Sequence, residues 1–339
     1  MRFMNFTYIF FLSFSSVLAA NESSNDQLVS QAIGASLQGD TSAALNYLAK
    51  VEAPKLNQKS ELFYNCMHER FGNITPTKNT SAVEGSLTAK LTKLFRNYWH
   101  KSLGSPDSRN ENGIELDNKL KEELGLDKDA TPAELDDTIR SKLKKEGNYA
   151  LLGQTGVLRE LMIWSKEERK QESVKMPHGN YKTSVVYLDE FIEAGWAMYA
   201  TCEQRGTGGW VAEKTLYAVV PRYKDIKSEV FSVTFLGHET QHFLDLDKYD
   251  DLQSWELEYR AKLMELSMAD KTQTSVLRKF IEDQRNDASY PHSYANYKLL
   301  KDLVSTLALS TPNDLYNVDR EHLNNAAITL FNADTISRH

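Results

Sequence analysis

The amino-acid sequence predicts a helix-rich α+β protein: an all-α amino-terminal domain, then a mixed domain in which a few strands precede further helices. Three observations carry that expectation. Apolar residues in the first half recur at helical spacing, strand-like runs of β-branched and aromatic residues appear only past Lys182, and helical periodicity returns from Ser228 onward. The domains are read as residues 21–150 and 151–339, behind a leader over residues 1–20.

The leader comes first. Met1 to Ala20 joins a basic start at Arg2 to an apolar core (TYIFFLSF) and a close at Leu18, Ala19 and Ala20. This reads as a cleaved signal peptide and an exported product, secreted or periplasmic. No later run approaches the roughly 20 apolar residues of a membrane span. The net charge of −7 becomes −8 once Arg2 leaves, and no basic block offsets it, which argues against nucleic acid or anionic lipid as a partner. Asn21, Asn73 and Asn79 stand in glycosylation sequons, which matter only in a eukaryotic host. Cys66 and Cys202 are the only cysteines, so one disulfide connectivity exists; the alternative is two core thiols. A bridge would staple the amino-terminal helices to the second domain.

Helices follow. Ala44, Tyr47, Leu48 and Val51 form one amphipathic set after Asp40, Phe63, Cys66 and Met67 a second, and Leu87, Leu91, Leu94 and Tyr98 a third. Ser81 with Glu84, and Thr131-Pro132 with Glu134, have the spacing of capping boxes. The charge-dense segment from Leu116 to Lys145, broken at Gly125 and Ala130-Thr131-Pro132, is expected to form two helices. Residues 146–154 (EGNYALLGQ) read as a boundary, and Thr155 to Lys166 as a helix backing the second domain through Leu158, Leu161, Met162 and Trp164. Thr183 to Phe191 and Thr215 to Val220 are strands. Between them, Gly206-Thr207-Gly208-Gly209-Trp210 is either a tight hairpin turn with a packed tryptophan or part of an edge strand to which an extended substrate could add.

The chemistry is concentrated in His238-Glu239-Thr240-Gln241-His242, inside an unbroken helical pattern from Ser228 to Leu246. Histidines four apart on a helix project from one face, where both imidazoles reach one metal ion. Zinc with three protein ligands keeps a fourth position for water, and a neighbouring carboxylate, here Glu239, can take that water's proton as it attacks a carbonyl. Lys248 stands where a metzincin needs its third histidine, so the third ligand must come from further along. The helical run Leu252, Trp255, Tyr259, Leu263 and Leu266 carries Glu256 and Glu258 on its flanks. Glu258 is favoured because the small Ala261, one turn on, would let the two helices approach closely; Glu256 stays open.

With its H-E-x-x-H and a downstream Glu258-Tyr259-Arg260-Ala261 like the E-[FY]-x-A of the glutamate helix, the sequence resembles the gluzincin group of zincin metallopeptidases over roughly residues 180 to 300. The resemblance implies a zincin-like catalytic domain with His238, His242 and Glu258 as Zn2+ ligands, Glu239 as the base, and a peptide or protein substrate. Lys262 departs from the pattern, since several such families place an aspartate there to support a ligand histidine. Asp245 is the substitute in view, either supporting a histidine or paired with Arg260; as a direct ligand it stands roughly 10 Å along the helix from His238. Tyr290, His292 and Tyr294 (YPHSY) are expected either to donate to the oxyanion or to form a surface loop. A catalytically silent zincin-like protein, using its helical half to bind a partner or inhibit a protease, is the second reading. Neither oligomeric state nor substrate sequence is encoded in a recognisable way.

Overall fold

The computed structural model describes residues 24–72, 85–212 and 214–338. The leader, the sequons at Asn21, Asn73 and Asn79, and the Ser81–Glu84 helix start lie outside the described residues. The chain folds as two compact units, one of residues 24–167 and 188–207 and the other of residues 168–187 and 208–338. Where the sequence suggests one cut near residue 150, two long strands pass through both units instead. Among the described residues no helix is long and apolar enough to cross a membrane.

The first unit opens with α1 (Ser24–Leu37), α2 (Thr41–Leu48) and α3 (Gln58–Phe71). Asp40 starts α2 as its spacing suggests, its carboxylate accepting from the Ala43 amide at 2.8 Å. Next come α4 (Leu87–Gly104), α5 (Arg109–Leu124) and α6 (Pro132–Lys145). The Thr131 and Glu134 side chains form the expected capping box at α6, while Ser86 caps α4 by accepting from Ala89. Leu91, Phe95 and Trp99 of α4 meet Leu120 of α5 and Ile139 of α6 in one buried core.

Residues 149–166 depart from the sequence reading. They are the strand β1 (Tyr149–Thr155) and the start of β2 (Leu158–Met176), not a linker and a helix. Gly156, at φ 54°, makes the turn between them. The antiparallel ladder then places Tyr149 opposite Trp164, with their rings stacked at 6.4 Å. Leu158, Leu161 and Ile163 are buried either way, so their apolarity did not discriminate helix from strand; the pairing partner decided it. β3 (Gly179–Ala194) returns along β2, and α7 (Trp196–Ala200) follows. Cys202 is bonded to Cys66 with Cα atoms 6.2 Å apart. Because residues 188–207 fold into the helical unit, this bridge ties two segments of one unit and does not staple helices to the unit carrying the histidines.

In the second unit β4 (Gly209–Ala212) and β5 (Thr215–Val219) complete a five-stranded sheet of order β1-β2-β3-β5-β4. The glycine-rich segment is thus the start of a terminal strand rather than the hairpin turn, which lies at Lys214 with φ 58°. Trp210 stacks flat on Tyr217 at 5.3 Å. The helices are α8 (Glu229–Phe231), a π-helical segment Ser232–Gly237, α9 (His238–Lys248), α10 (Ser254–Met268), α11 (Gln273–Glu282), α12 (Pro291–Thr306) and α13 (Arg320–Ser337). Leu263 and Leu266 of α10, Phe280 of α11, Leu299 and Leu303 of α12 and Ala327 of α13 make its core, so α10 is buried nearly all round.

Candidate metal centre

The helix pattern read from Ser228 to Leu246 is continuous but not uniform. Its middle, Ser232–Gly237, winds as a π-helix that ends just before His238. Such a widened turn adds a residue to the helix without breaking it, and so sets which face the following residues present. Phe235, inside this turn, packs onto Gly209 of β4 so closely that a Cβ there would lie 2.3 Å from the Phe235 ring and 2.3 Å from the Tyr217 carbonyl oxygen. Glycine at 209 is therefore demanded by the approach of the histidine-bearing helix to the last strand.

From α9, His238 and His242 bring their Nε2 atoms to 3.1 Å of each other. From α10, Glu258 places Oε1 3.2 Å from His242 Nε2 and Oε2 3.7 Å from His238 Nε2. Ala261 beneath Glu258 is fully buried. One nitrogen of each imidazole and a carboxylate oxygen thus converge within 4.8 Å, in a group that could hold a metal ion. Bonds of about 2.0–2.1 Å in a tetrahedron put ligand atoms about 3.3 Å apart, close to the 3.1 Å between the two nitrogens and the 3.2 Å from His242 to Oε1. Two imidazole nitrogens facing each other beside a carboxylate need a proton or a metal ion between them.

His238 turns its Nδ1 to Glu265 Oε2 at 3.2 Å. That contact assigns the Nδ1 proton and leaves the Nε2 lone pair directed at the cluster. Burial drives the His238 pKa down to about 4, outweighing Glu265 and Glu258, so the ring is neutral and able to ligate. Burial opposes protonation of His242 as well, but its bond to Glu258 and the charges of Glu258, Glu239 and Asp245 outweigh it and raise that pKa. At Glu258, burial is outweighed by His292 and His242, which hold the carboxyl well below its usual range.

Glu239 differs from Glu258 and Glu265 in having no ion-pair partner among the described residues. It is 0 % exposed, and neither carboxylate oxygen has a hydrogen-bond partner among the described residues. Burial is the main cause that pushes its pKa up to about 7; His242 opposes this, and the charges of Glu258 and Glu265 add to it. A buried carboxyl with no structural partner is costly, and one adjoining a convergent ligand set has the properties of a proton acceptor.

The remaining sequence candidates fall in different places. Glu256 is used at the start of α10, accepting from the Gln253 amide at 2.9 Å and pairing with Arg338 at 3.1 Å. Asp245 pairs with buried Arg260 at 2.9 Å, which also reaches Asp334 of α13. His292 lies at the cluster, its Nδ1 2.7 Å from Glu258 Oε2. Tyr290 instead lies under the Arg285 guanidinium, 3.9 Å from its ring centre, and Tyr294 stands edge-on to Trp255 at 5.2 Å. Sequence reasoning missed Glu265, the carboxylate that orients His238. The available signal was its spacing, since seven residues after Glu258 is two turns along the same face. No family model, curated protein or solved structure matches the chain.

Proposed function

We propose that the protein is an exported, zinc-dependent metallopeptidase of gluzincin type. The observation that carries this reading is the convergence of His238, His242 and Glu258 beside a fully buried, unpartnered Glu239. The donor set of two imidazoles and one carboxylate suits zinc, and His238, His242 and Glu258 would hold the ion. Bound there, zinc would polarise a carbonyl and make water nucleophilic near neutral pH. Glu239 takes the proton of the attacking water on a carboxylate oxygen and passes it to the leaving amine, a role suited to a carboxyl whose pKa stands near 7. Glu265 keeps the proton of His238 at Nδ1, so that Nε2 stays free of it. β4, the terminal strand beside this helix, is where an extended peptide would align. The Cys66–Cys202 disulfide agrees with an oxidising compartment.

The test pairs elemental analysis with peptide-library digestion. Wild type is expected to carry one equivalent of zinc and to cleave peptides. Glu239→Gln is expected to keep the zinc and lose cleavage by about 10²–10⁴-fold. Absence of bound metal, or cleavage indifferent to Glu239, would remove this function; zinc retained with no cleavage by wild type would favour a silent metal-binding protein.

A further inference from the structure

Glu258 is gripped from several sides, and unequally. Oε1 has His242 Nε2 at 3.2 Å. Oε2 has His292 Nδ1 at 2.7 Å, with His238 Nε2 at 3.7 Å and the Lys262 ammonium at 3.8 Å. At 2.7 Å His292 is the closest cationic group to this oxygen, an ion-pair contact rather than an aligned hydrogen bond. Its position is not that of a loose loop. His292 is the second residue of α12, whose first turn is fixed by Pro291, and α12 is held on α10 by the Tyr259 hydroxyl donating to Asp302 at 2.9 Å. Lys262 approaches from one turn below on the helix of Glu258 itself, nearly buried and 5.1 Å above the Phe280 ring.

A carboxylate can give a metal one oxygen or both. Giving both would fill the coordination place that a hydrolytic site must leave for solvent. We propose that His292 is a positioning residue which, assisted by Lys262, occupies Oε2 of Glu258, so that Glu258 offers the metal Oε1 alone and one coordination place stays open. The lysine that departs from the expected aspartate at 262 then has a function of its own: it reinforces the hold on the glutamate ligand, while Glu265 supports the histidine. This inference rests on the metal-centre reading above.

The experiment loads chelator-stripped protein with Co2+ and records its visible spectrum, with affinity measured by competition against a chromophoric chelator. His292→Ala is expected to lower affinity about 10–100-fold. Its visible spectrum should shift as the second carboxylate oxygen takes the place of the solvent ligand. His292→Asn, whose amide places a donor near the former Nδ1, should restore both, and Lys262→Met should shift both in the alanine direction by less. Unchanged affinity and spectrum in His292→Ala would overturn the proposal, as would an asparagine variant behaving like alanine. Should the alanine variant fail to fold by circular dichroism, the asparagine variant decides alone: wild-type affinity and spectrum support the proposal and their loss overturns it. A wild-type protein that takes up neither Co2+ nor zinc refutes the metal centre itself, an outcome visible before any variant is compared.

Discussion

Three carboxylates surround one pair of imidazoles, and their different partners give them different properties. Glu258 faces three histidines and a lysine, Glu265 faces His238, and Glu239 faces none of the described hydrogen-bond donors. Glu265 is held below the usual carboxylate range because Lys279, His238 and Lys262 outweigh its burial, so it remains an anion able to accept the His238 proton. Glu265→Gln is therefore expected to lower zinc affinity about 10–100-fold, measured by chelator competition, with one metal equivalent still bound at saturation. Asp245 provides the contrast. Its carboxylate and the Arg260 guanidinium are each 2 % exposed, so removing one partner strands a buried charge. Asp245→Ala should cost about 3–5 kcal/mol of unfolding free energy while zinc stoichiometry is unchanged; loss of zinc from the folded variant would return Asp245 to the metal centre.

At the scale of elements, the π-helical turn and the last strand set the position of α9. Phe235 reaches the core from inside that turn, and Gly209 is the strand residue that admits it. Gly209→Ala forces a methyl against the Phe235 ring and the Tyr217 carbonyl, and the carbonyl belongs to backbone held in the β4–β5 ladder. The expected cost is about 1–3 kcal/mol in denaturant unfolding, accompanied by weaker metal retention as α9 shifts; a neutral substitution would show that the strand yields instead. Sequence patterns located most helices because caps are local: Asp40, Thr131 and Glu134 act on amides within three residues. The same local logic misread Thr155 to Lys166, whose fate depends on pairing with residues 149–155 and on β3.

For the whole molecule, the titration of a buried carboxyl in the helical unit links stability to pH. Glu160 accepts from the Thr155 hydroxyl at 2.7 Å and the Trp196 amide at 3.0 Å, and burial pushes its pKa up to about 7 against those bonds. A carboxyl bound to its proton more tightly when folded favours the folded state most below about 4.5, the ordinary value; the contribution declines as pH rises to about 7 and is level above. Denaturant unfolding should therefore show stability falling across that window by up to about 3 kcal/mol, and Glu160→Gln should flatten the slope. A slope unaltered by the substitution would assign it to other groups. The amino-acid sequence by itself determined the helix-rich α+β class, the H-E-x-x-H face and Glu258, because these depend on spacing along one or two helices. Only the tertiary structure decided that Cys66 and Cys202 join segments of one unit, that Asp245 belongs to Arg260, and that Glu265 and His292 close upon the cluster of His238, His242 and Glu258. Those pairings depend on which helices and strands pack together, and that is fixed by the burial of whole faces rather than by any local pattern.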